Sequence, residues 1–289
     1  MALEYTSGRE ALSCPIIHLR IRIGWPWASD LGATVSADGR VALITGAGRG
    51  IGKALALGFG REGYRVVVAS TTAERNEAVA DLIREAGGKA LAVTLDVADE
   101  ASVKQAVAKT LDDFGRVDVL INNAGLKPGF IPTEQKSLKD LDVAIWRRMF
   151  EVNGTGPFLC ARECIPPMIA LGGGAIINVS SGAGDRPREG QSMYGISKAA
   201  LNMLTGVLAL ELKTNAISVN GISPGYTVEV APTNRPLGAA TPLKTESCVP
   251  LCLFLAAQDP IEVTGENLNV LHWNEAHGLG GQEVWSIFA

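Results

Sequence analysis

The stretch Val41-Ala42-Leu43-Ile44-Thr45-Gly46-Ala47-Gly48-Arg49-Gly50-Ile51-Gly52 places four glycines, at alternate positions, directly after a short apolar run. The run has the length and composition of a buried β-strand, and the residues after the glycines have a helical pattern to about Gly60. Glycines between a strand and a helix permit a tight turn and let backbone N–H groups approach a pyrophosphate at the positive N-terminal end of the helix. The stretch therefore predicts a strand–turn–helix unit that binds a dinucleotide.

The same alternation of apolar runs and helical stretches continues along the chain. Helices are predicted over 73–86 and 100–114 and before the fifth and sixth strands, and further strands over 65–70, 89–97, 116–125, 175–181, 216–225 and 266–271. Short apolar runs that alternate with helices are typical of parallel strands covered on both faces. The prediction is an α/β protein with a single doubly wound, Rossmann-type parallel sheet of about seven strands. This domain covers residues 39–289 and follows a non-conforming extension over 1–38.

Composition excludes several classes of function. The 289 residues are 47% hydrophobic and 19% charged, with a net charge of −4, which suits a well-buried core and excludes a disordered chain. That balance gives no electrostatic reason to expect a nucleic-acid or polybasic membrane surface. The apolar runs are shorter than the roughly 20 residues of a membrane span. A soluble cytoplasmic protein is the expectation.

Cysteine and histidine usage excludes other chemistry. Four of the five cysteines form pairs at i, i+4 spacing inside apolar stretches, which indicates small buried side chains on helices. A zinc site would need CxxC spacing or nearby histidine ligands, so no metal site is predicted. His18, His272 and His277 are the only histidines, and they fit neither a Ser-His-Asp hydrolase nor a HExxH metalloenzyme.

Further motifs follow the glycines in a fixed order. They are Asn122-Asn123-Ala124-Gly125 after the fourth strand, Asn153 in the next helix, Ser181 at the end of the fifth strand, Tyr194-Gly195-Ile196-Ser197-Lys198, Pro224-Gly225 and Thr264-Gly265. With the TGxxxGxG spacing of the first turn, the chain resembles the short-chain dehydrogenase/reductase family over about residues 40–270. From Arg40 to Gly60 it is most similar to the 3-oxoacyl-acyl-carrier-protein reductases. The resemblance implies a nicotinamide-dependent oxidoreductase.

Four residues are the candidate catalytic set: Ser181, Tyr194, Lys198 and Asn153. Tyr194 and Lys198 are four apart and project from one helix face. A phenol pKa near 10 must fall to about 7 for easy proton exchange, which needs roughly 4 kcal/mol from a buried ammonium and an oxidised nicotinamide. Ser181 would then bind the substrate oxygen. The resemblance implies that Lys198 also binds the nicotinamide ribose and that Asn153 holds a water, although Asn153 could instead cap a helix break.

The cofactor is expected to contact the glycine turn and the strand ends at Gly46, Gly48, Arg49, Gly50, Ile51, Gly52, Ser70, Thr71, Asp96, Val97, Asn123, Ala124, Gly125, Tyr194, Lys198, Pro224, Gly225 and Thr227. Asp96 resembles the family's adenine-contacting acid, since Asp99 is the better helix cap. Asn123 either braces the cofactor ribose or supports the strand ends.

The end of the second strand favours NADP(H) over NAD(H). NAD selection usually needs an acid there to bind the ribose 2′-hydroxyl, and this chain has Ser70-Thr71-Thr72. Hydroxyl groups can donate to a 2′-phosphate, and Arg49 can supply the counter-charge.

Two stretches depart from the family pattern. Only residues 226–235 separate Pro224-Gly225 from Pro236-Leu237, where the family has a longer lid, so the substrate pocket should be more open. The last strand lacks the family's Asp-Gly-Gly turn and leads to a tail with Trp285 and Phe288. That tail could pack at a subunit interface or be poorly ordered.

Three functions follow as hypotheses. The first is an oxidoreductase that transfers a hydride between NADP(H) and a carbonyl or secondary alcohol, with Tyr194 as general acid/base. The second is a catalytically impaired dinucleotide-binding sensor or scaffold, against which the intact four-residue set argues. The third is an interaction protein that binds no nucleotide, against which the glycine turn argues. The partner is a small-molecule substrate of unspecified identity, with no nucleic acid and no membrane. The apolar helices over 139–170 and 194–213 permit a homotetramer or dimer.

Overall fold

The computed structural model describes residues 37, 39–127, 137–229, 240–258 and 263–288. Of the predicted extension over 1–38, only Ala37 is among them. The strands are β1 (Val41–Thr45), β2 (Arg65–Ser70), β3 (Lys89–Thr94), β4 (Val119–Asn122), β5 (Gly174–Val179), β6 (Ile217–Ser223), β7 (Thr227–Val228), β8 (Leu243–Lys244) and β9 (Asn267–Asn269). The helices are α1 (Gly50–Arg61), α2 (Ala73–Glu85), α3 (Glu100–Phe114), α4 (Val143–Phe150), α5 (Gly156–Ala170), α6 (Ser192–Glu211), α7 (Val249–Ala257), α8 (Val270–Ala276) and α9 (Gln282–Trp285).

Seven parallel strands form the central sheet in the order β3-β2-β1-β4-β5-β6-β9. The predicted fold class is thereby confirmed. All five residues of β1 and all four of β4 are buried, because helices cover both faces of the sheet. Strand order reverses between β1 and β4, and at such a point the carboxyl ends of the strands leave a crevice in which ligands bind.

Helix α3 illustrates how local signals set the element bounds. Its N-cap Asp99 accepts a hydrogen bond from the Ala101 amide at 3.0 Å, as predicted. The helix ends at Gly115, whose φ of +76° is the left-handed conformation that glycine adopts without strain. The apolar side of α3, with Val103 and Val107, packs in the core beneath the sheet.

The last predicted strand is wrong in its second half. Strand β9 ends at Asn269, and α8 begins at Val270, where the sequence pattern extended the strand to Leu271. The Asn269 side chain accepts from the His272 amide at 3.0 Å and so caps a new helix. Val270 and Trp273 are both buried, which is the spacing of a helix face. The Asn269 cap therefore starts a helix where the short apolar alternation predicted that the strand would continue.

One helix among the described residues, α6, has the length and apolar composition of a helix that could cross a membrane. It is the exception to the expectation that every apolar run is too short. In this fold α6 contacts β6, and one of its faces, which includes Ser197, Lys198 and Leu201, is buried.

The C-terminal residues pack within their own chain. Leu243 of β8 pairs in parallel with Thr227 of β7, and it also forms an antiparallel bridge to Ser286. The Ile287 amide donates to the Pro242 carbonyl at 3.0 Å. Trp285 is 4% exposed, and its indole donates to the Leu279 carbonyl at 3.0 Å. Neither alternative offered for the tail describes Trp285, which is buried against this chain.

Candidate active site

A cavity of about 460 Å³ lies where the sheet order reverses, and the residues lining it come from across the expected cofactor set. They include Gly46, Gly48, Arg49, Gly50, Ile51, Ser70, Thr71, Asp96, Val97, Asn123, Ala124, Gly125 and Thr227. The expected residues Gly52, Tyr194, Lys198, Pro224 and Gly225 are not among the lining residues. Sequence reasoning missed Arg75 and Arg148, which do line the cavity.

The glycine turn has the backbone geometry that its sequence predicts. Gly46 and Gly50 have φ of +65° and +59°, in the left-handed region where other residues are strained. Gly52 acts by packing rather than by facing the cavity, because a Cβ there would lie 2.3 Å from the Gly46 carbonyl oxygen. The turn therefore aims the N-terminus of α1 at the cavity, where its N–H groups can bind an anion.

Asn123 ties the ends of two strands together. Its amide donates to the Thr45 carbonyl at 2.8 Å and to the Gly46 carbonyl at 3.2 Å. The Thr45 hydroxyl oxygen in turn accepts from the amides of Asn123 and Ala124, both at 3.0 Å. These contacts match the second of the two roles considered for Asn123, support of the strand ends, and they leave its side chain at the cavity wall.

At the end of β2 the serine hydroxyl already has a partner. Ser70 donates to the Asn76 carboxamide oxygen, and Asn76 donates to the Val93 carbonyl at 2.7 Å. The Ser70 proton is thus committed inside the protein, whereas Thr71 and Arg75 are exposed at the cavity. A Cβ on Gly48 would lie 3.0 Å from the Arg75 Cβ, so Arg75 stands beside the glycine turn. Its place in the first turn of α2, directly after the second strand, is the signal that could have identified it.

Asp96 lies in the loop after β3 and faces two partners. One carboxylate oxygen accepts from the Ala98 amide at 3.0 Å, and the other is 3.2 Å from the Arg148 guanidinium. Both side chains of this ion pair are partly exposed, and both residues line the cavity. The pair places one acidic and one basic group at the adenosine end of the expected cofactor site.

Three of the four candidate catalytic residues meet beside the cavity. The Ser181 side chain lies close enough to the Tyr194 phenol to lower its pKa. The Lys198 ammonium lies 5.9 Å from the centroid of the Tyr194 ring and donates to the Val179 carbonyl at 2.8 Å. A Cβ on the cavity residue Gly125 would lie 3.6 Å from the Lys198 nitrogen, so Lys198 stands directly behind the cavity wall.

Asn153 lies in a π-helical turn, Glu151–Thr155, rather than in a regular helix. Such turns are rare and are frequent at functional sites. Its carboxamide oxygen accepts from the Leu126 amide at 2.7 Å, and its nitrogen donates to the Leu126 carbonyl at 2.9 Å and the Ser197 hydroxyl at 3.0 Å. The chain stays helical through this turn, and Asn153 joins the loop after β4 to α6.

Burial sets the proton affinities of the tyrosine and the lysine. It raises the pKa of Tyr194, against a smaller opposing effect of the Ser181 hydrogen bond, and it lowers the pKa of Lys198 to about 8. The phenol pKa therefore moves in the direction opposite to the sequence prediction, which counted an oxidised nicotinamide among the stabilising charges. The protein's own groups keep Tyr194 protonated at neutral pH, which suits a proton donor.

The cysteines of the described residues are buried thiols. Cys160, Cys164, Cys248 and Cys252 are unpaired, and burial raises the pKa of Cys160 and of Cys248 to about 12. Cys14 lies outside the described residues. Within the described part of the chain, no three histidine, cysteine or acidic side chains are grouped as metal ligands would be.

Comparison with known proteins identifies the family. Residues 40–238 match the family model for short chain dehydrogenases. The chain is 36% identical to a fluoren-9-ol dehydrogenase of Terrabacter sp. over 268 residues, covering 86% of this chain and 75% of the relative. It is also 36% identical to a 3-oxoacyl-[acyl-carrier-protein] reductase of Synechocystis sp. over 242 residues, covering 80% and 95%.

A solved structure is similar over most of the domain. A 3-ketoacyl-ACP reductase from Sinorhizobium meliloti superposes with a TM-score of 0.72 at 34% identity, covering 79% of this chain and 96% of that one. The matched residues 40–238 include the glycine turn and the Ser181–Tyr194–Lys198 group. The chain belongs to the short-chain dehydrogenase/reductase family.

Proposed function

We propose that the protein is an NADP(H)-dependent oxidoreductase that interconverts a carbonyl compound and a secondary alcohol, with Tyr194 as general acid/base. The observation that carries this proposal is the grouping of Lys198 and Ser181 around Tyr194: the Lys198 ammonium is 5.9 Å from the tyrosine ring, and Ser181 is near enough to its phenol to lower the pKa of Tyr194. A sensor or scaffold has no chemical need for this group. An interaction protein without a nucleotide has no need for the glycine turn.

The residues at the cavity suit a dinucleotide. The N-terminus of α1 and the glycine turn would hold the pyrophosphate, and Asp96 and Val97 would contact the adenine. The cofactor, when bound, supplies the hydride. Pro224-Gly225 and Thr227 would lie at its nicotinamide end, as the family resemblance implies. The cavity of about 460 Å³ is within the range of small-molecule and cofactor sites.

The chain's own groups would handle the proton. Tyr194 donates its phenol proton to the carbonyl oxygen of the substrate, while Ser181 donates a hydrogen bond to the same oxygen and stabilises its developing negative charge. The phenolate left on Tyr194 is stabilised by the Lys198 ammonium, which is charged below a pKa of about 8. Asn153 fixes the position of this group by joining the loop after β4 to Ser197 in α6.

The experiment that tests this function follows the absorbance of reduced nicotinamide with a panel of carbonyl compounds. The names of the relatives put cyclic ketones and 3-oxoacyl thioesters first, and sugars and steroids complete the panel. We expect substrate-dependent oxidation of NADPH with at least one class. Tight NADPH binding without turnover of any class would instead support the sensor or scaffold.

Cofactor selection should depend on Arg75. Arg75 and Arg49 both line the cavity, as does the stretch Ser70-Thr71-Thr72 at the end of β2, which has no carboxylate. We expect Arg75→Ala to raise KM for NADPH about tenfold, the loss of one charge-assisted contact, and to leave KM for NADH within about twofold. Steady-state kinetics with both cofactors measures this. The matched control is Arg61→Ala, which removes an exposed arginine at the far end of α1. Wild-type preference for NADH would contradict the assignment.

We also propose a homo-oligomer formed through α5 and α6. Met203, Val207 and Leu210 of α6 are 70%, 40% and 80% exposed and form one apolar stripe at helical spacing. Phe158 and Ile169 of α5 are similarly exposed. Light scattering after size exclusion should give a multiple of the 30.3 kDa chain mass, and Leu210→Glu should reduce it. A wild-type monomer would contradict this proposal.

A further inference from the structure

The wall of the cavity that follows β6 depends on the C-terminal end of the chain. Thr227, Val228 and Glu229, in and just after β7, line the cavity, as does Thr245 directly after β8. Strand β7 has only two residues, and its partner is β8, through which the Leu243 amide donates to the Tyr226 carbonyl at 2.8 Å. Such a short pair needs support from outside itself.

That support comes from the C-terminal tail, residues 279–287. The bridge from Ser286 to Leu243 and the hydrogen bond from Ile287 to Pro242 hold the edge of β8 that faces away from β7. The Lys244 ammonium also donates to the Val284 carbonyl at 3.3 Å. Leu243 and Trp285 are each 4% exposed, so the contact is buried as well as hydrogen-bonded. In this patch, which consists of β7, β8 and the tail, β7 lies against the cavity, β8 pairs with β7, and the tail pairs with β8.

The tail lies beyond the residues that the family model matches. The family model covers residues 40–238, so β8, Thr245 and the tail all lie beyond it. Only the ten residues 226–235 separate Gly225 from Pro236-Leu237 on the way to β8. The tail thus supports the side of the cavity that is lined by β7 and by Thr245.

We infer that the C-terminal tail is a positioning segment of the cofactor site: by holding β8 it fixes β7, and with it Thr227, at the cavity wall. This inference rests on the proposed function, since the ligand that it concerns is the nicotinamide cofactor. If the docked tail favours cofactor binding, then by thermodynamic linkage the bound cofactor must favour the docked tail to the same extent. A merely structural tail would stabilise the fold without this reciprocity.

The test uses the full chain and one backbone hydrogen bond. Ile287→Pro removes the N–H that donates to Pro242, and Ser286, with φ −60° and ψ 139°, already has the conformation preferred before proline. We expect the NADPH dissociation constant and KM to rise about fivefold, within the range for one lost hydrogen bond, with kcat at saturating NADPH unchanged. The matched control, Phe288→Ala, removes a 57% exposed ring and keeps this N–H, so it should bind as wild type does.

A second measurement needs no variant. Hydrogen exchange of the wild-type Leu243 and Ile287 amides should slow when NADPH is added, because both amides donate within the patch. Unchanged exchange with demonstrable NADPH binding overturns the inference and leaves the proposed function standing, and so does wild-type affinity in Ile287→Pro. Absence of any nicotinamide nucleotide binding by the wild-type chain overturns the proposed function and the inference with it.

Discussion

Replacing Tyr194 with phenylalanine is expected to lower kcat about a thousandfold while NADPH binds as tightly as before. The change removes one hydroxyl, which lies near Ser181, and leaves the ring beside Lys198. Loss of a positioned general acid typically costs a factor of about 10² to 10⁴ in rate. The effect should therefore appear in kcat, measured with saturating NADPH, and not in the dissociation constant measured by fluorescence titration.

Tyr64→Phe is the matched control for this prediction. Tyr64 is also a buried tyrosine, 4% exposed, and its ring centroid is 4.8 Å from that of Phe59 in α1. The variant makes the same chemical change in a comparable environment and should retain wild-type kcat. Turnover by Tyr194→Phe within tenfold of wild type would remove Tyr194 from the mechanism.

Replacing Lys198 with methionine is expected to lower kcat about a hundredfold and to change how stability depends on pH. The rate falls because the phenolate formed on Tyr194 loses its neighbouring ammonium, and loss of one such stabilising group costs a factor of about 10² to 10³. The Lys198 ammonium is buried and donates to the Val179 carbonyl. Methionine is the replacement because its side chain has a similar volume and no charge. Steady-state kinetics at pH 7 measures the first effect.

The pH effect follows from the lowered lysine pKa. Burial puts the folded pKa of Lys198 at about 8, against 10.5 for the unfolded chain, so between these values the unfolded state binds more protons. The contribution of Lys198 to the free energy of unfolding is therefore least favourable below pH 8. It becomes more favourable by about 2 kcal/mol between pH 7 and pH 9.5. Lys198→Met should lack this rise. Urea unfolding at several pH values measures it.

A matched lysine variant isolates the buried group. Lys104 is exposed and pairs with Glu100 at 2.8 Å, so Lys104→Met should keep the wild-type rise in stability with pH. The deciding comparison is how the free energy of unfolding changes with pH in Lys198→Met and in the wild-type protein. If their unfolding free energies run parallel from pH 7 to pH 9.5, the ammonium of Lys198 is not destabilised by burial.

The fold and the glycine turn were predictable because local chemistry and burial agree there. The run Val41–Thr45 is wholly buried, Gly46 and Gly50 need the left-handed region, and Asp99 caps α3. Each of these signals acts over a few residues. At Asn269 two local signals conflict, and the side-chain cap decides for a helix where a short apolar alternation had suggested a strand.

The parts of the site that escaped prediction depend on contacts between distant segments. The commitment of the Ser70 proton depends on Asn76, six residues on, which also binds Val93 of the next strand. The direction of the Tyr194 pKa depends on how deeply the fold buries its ring. The burial of Trp285 depends on a bridge to Leu243 across more than forty residues. Sequence patterns specify which groups are present, and the packing decides which of them are already satisfied.

The π-helical turn at Glu151–Thr155 has a consequence for the length of this part of the chain. A π turn contains one residue more than regular α-helix would need, and each residue advances the helix by about 100°. Deleting a single residue there would let α4 and α5 run on as one continuous rod. The rod would also swing the carboxamide of Asn153 away from Leu126, so we expect a one-residue deletion to cost more than substitution of the other residues of the turn.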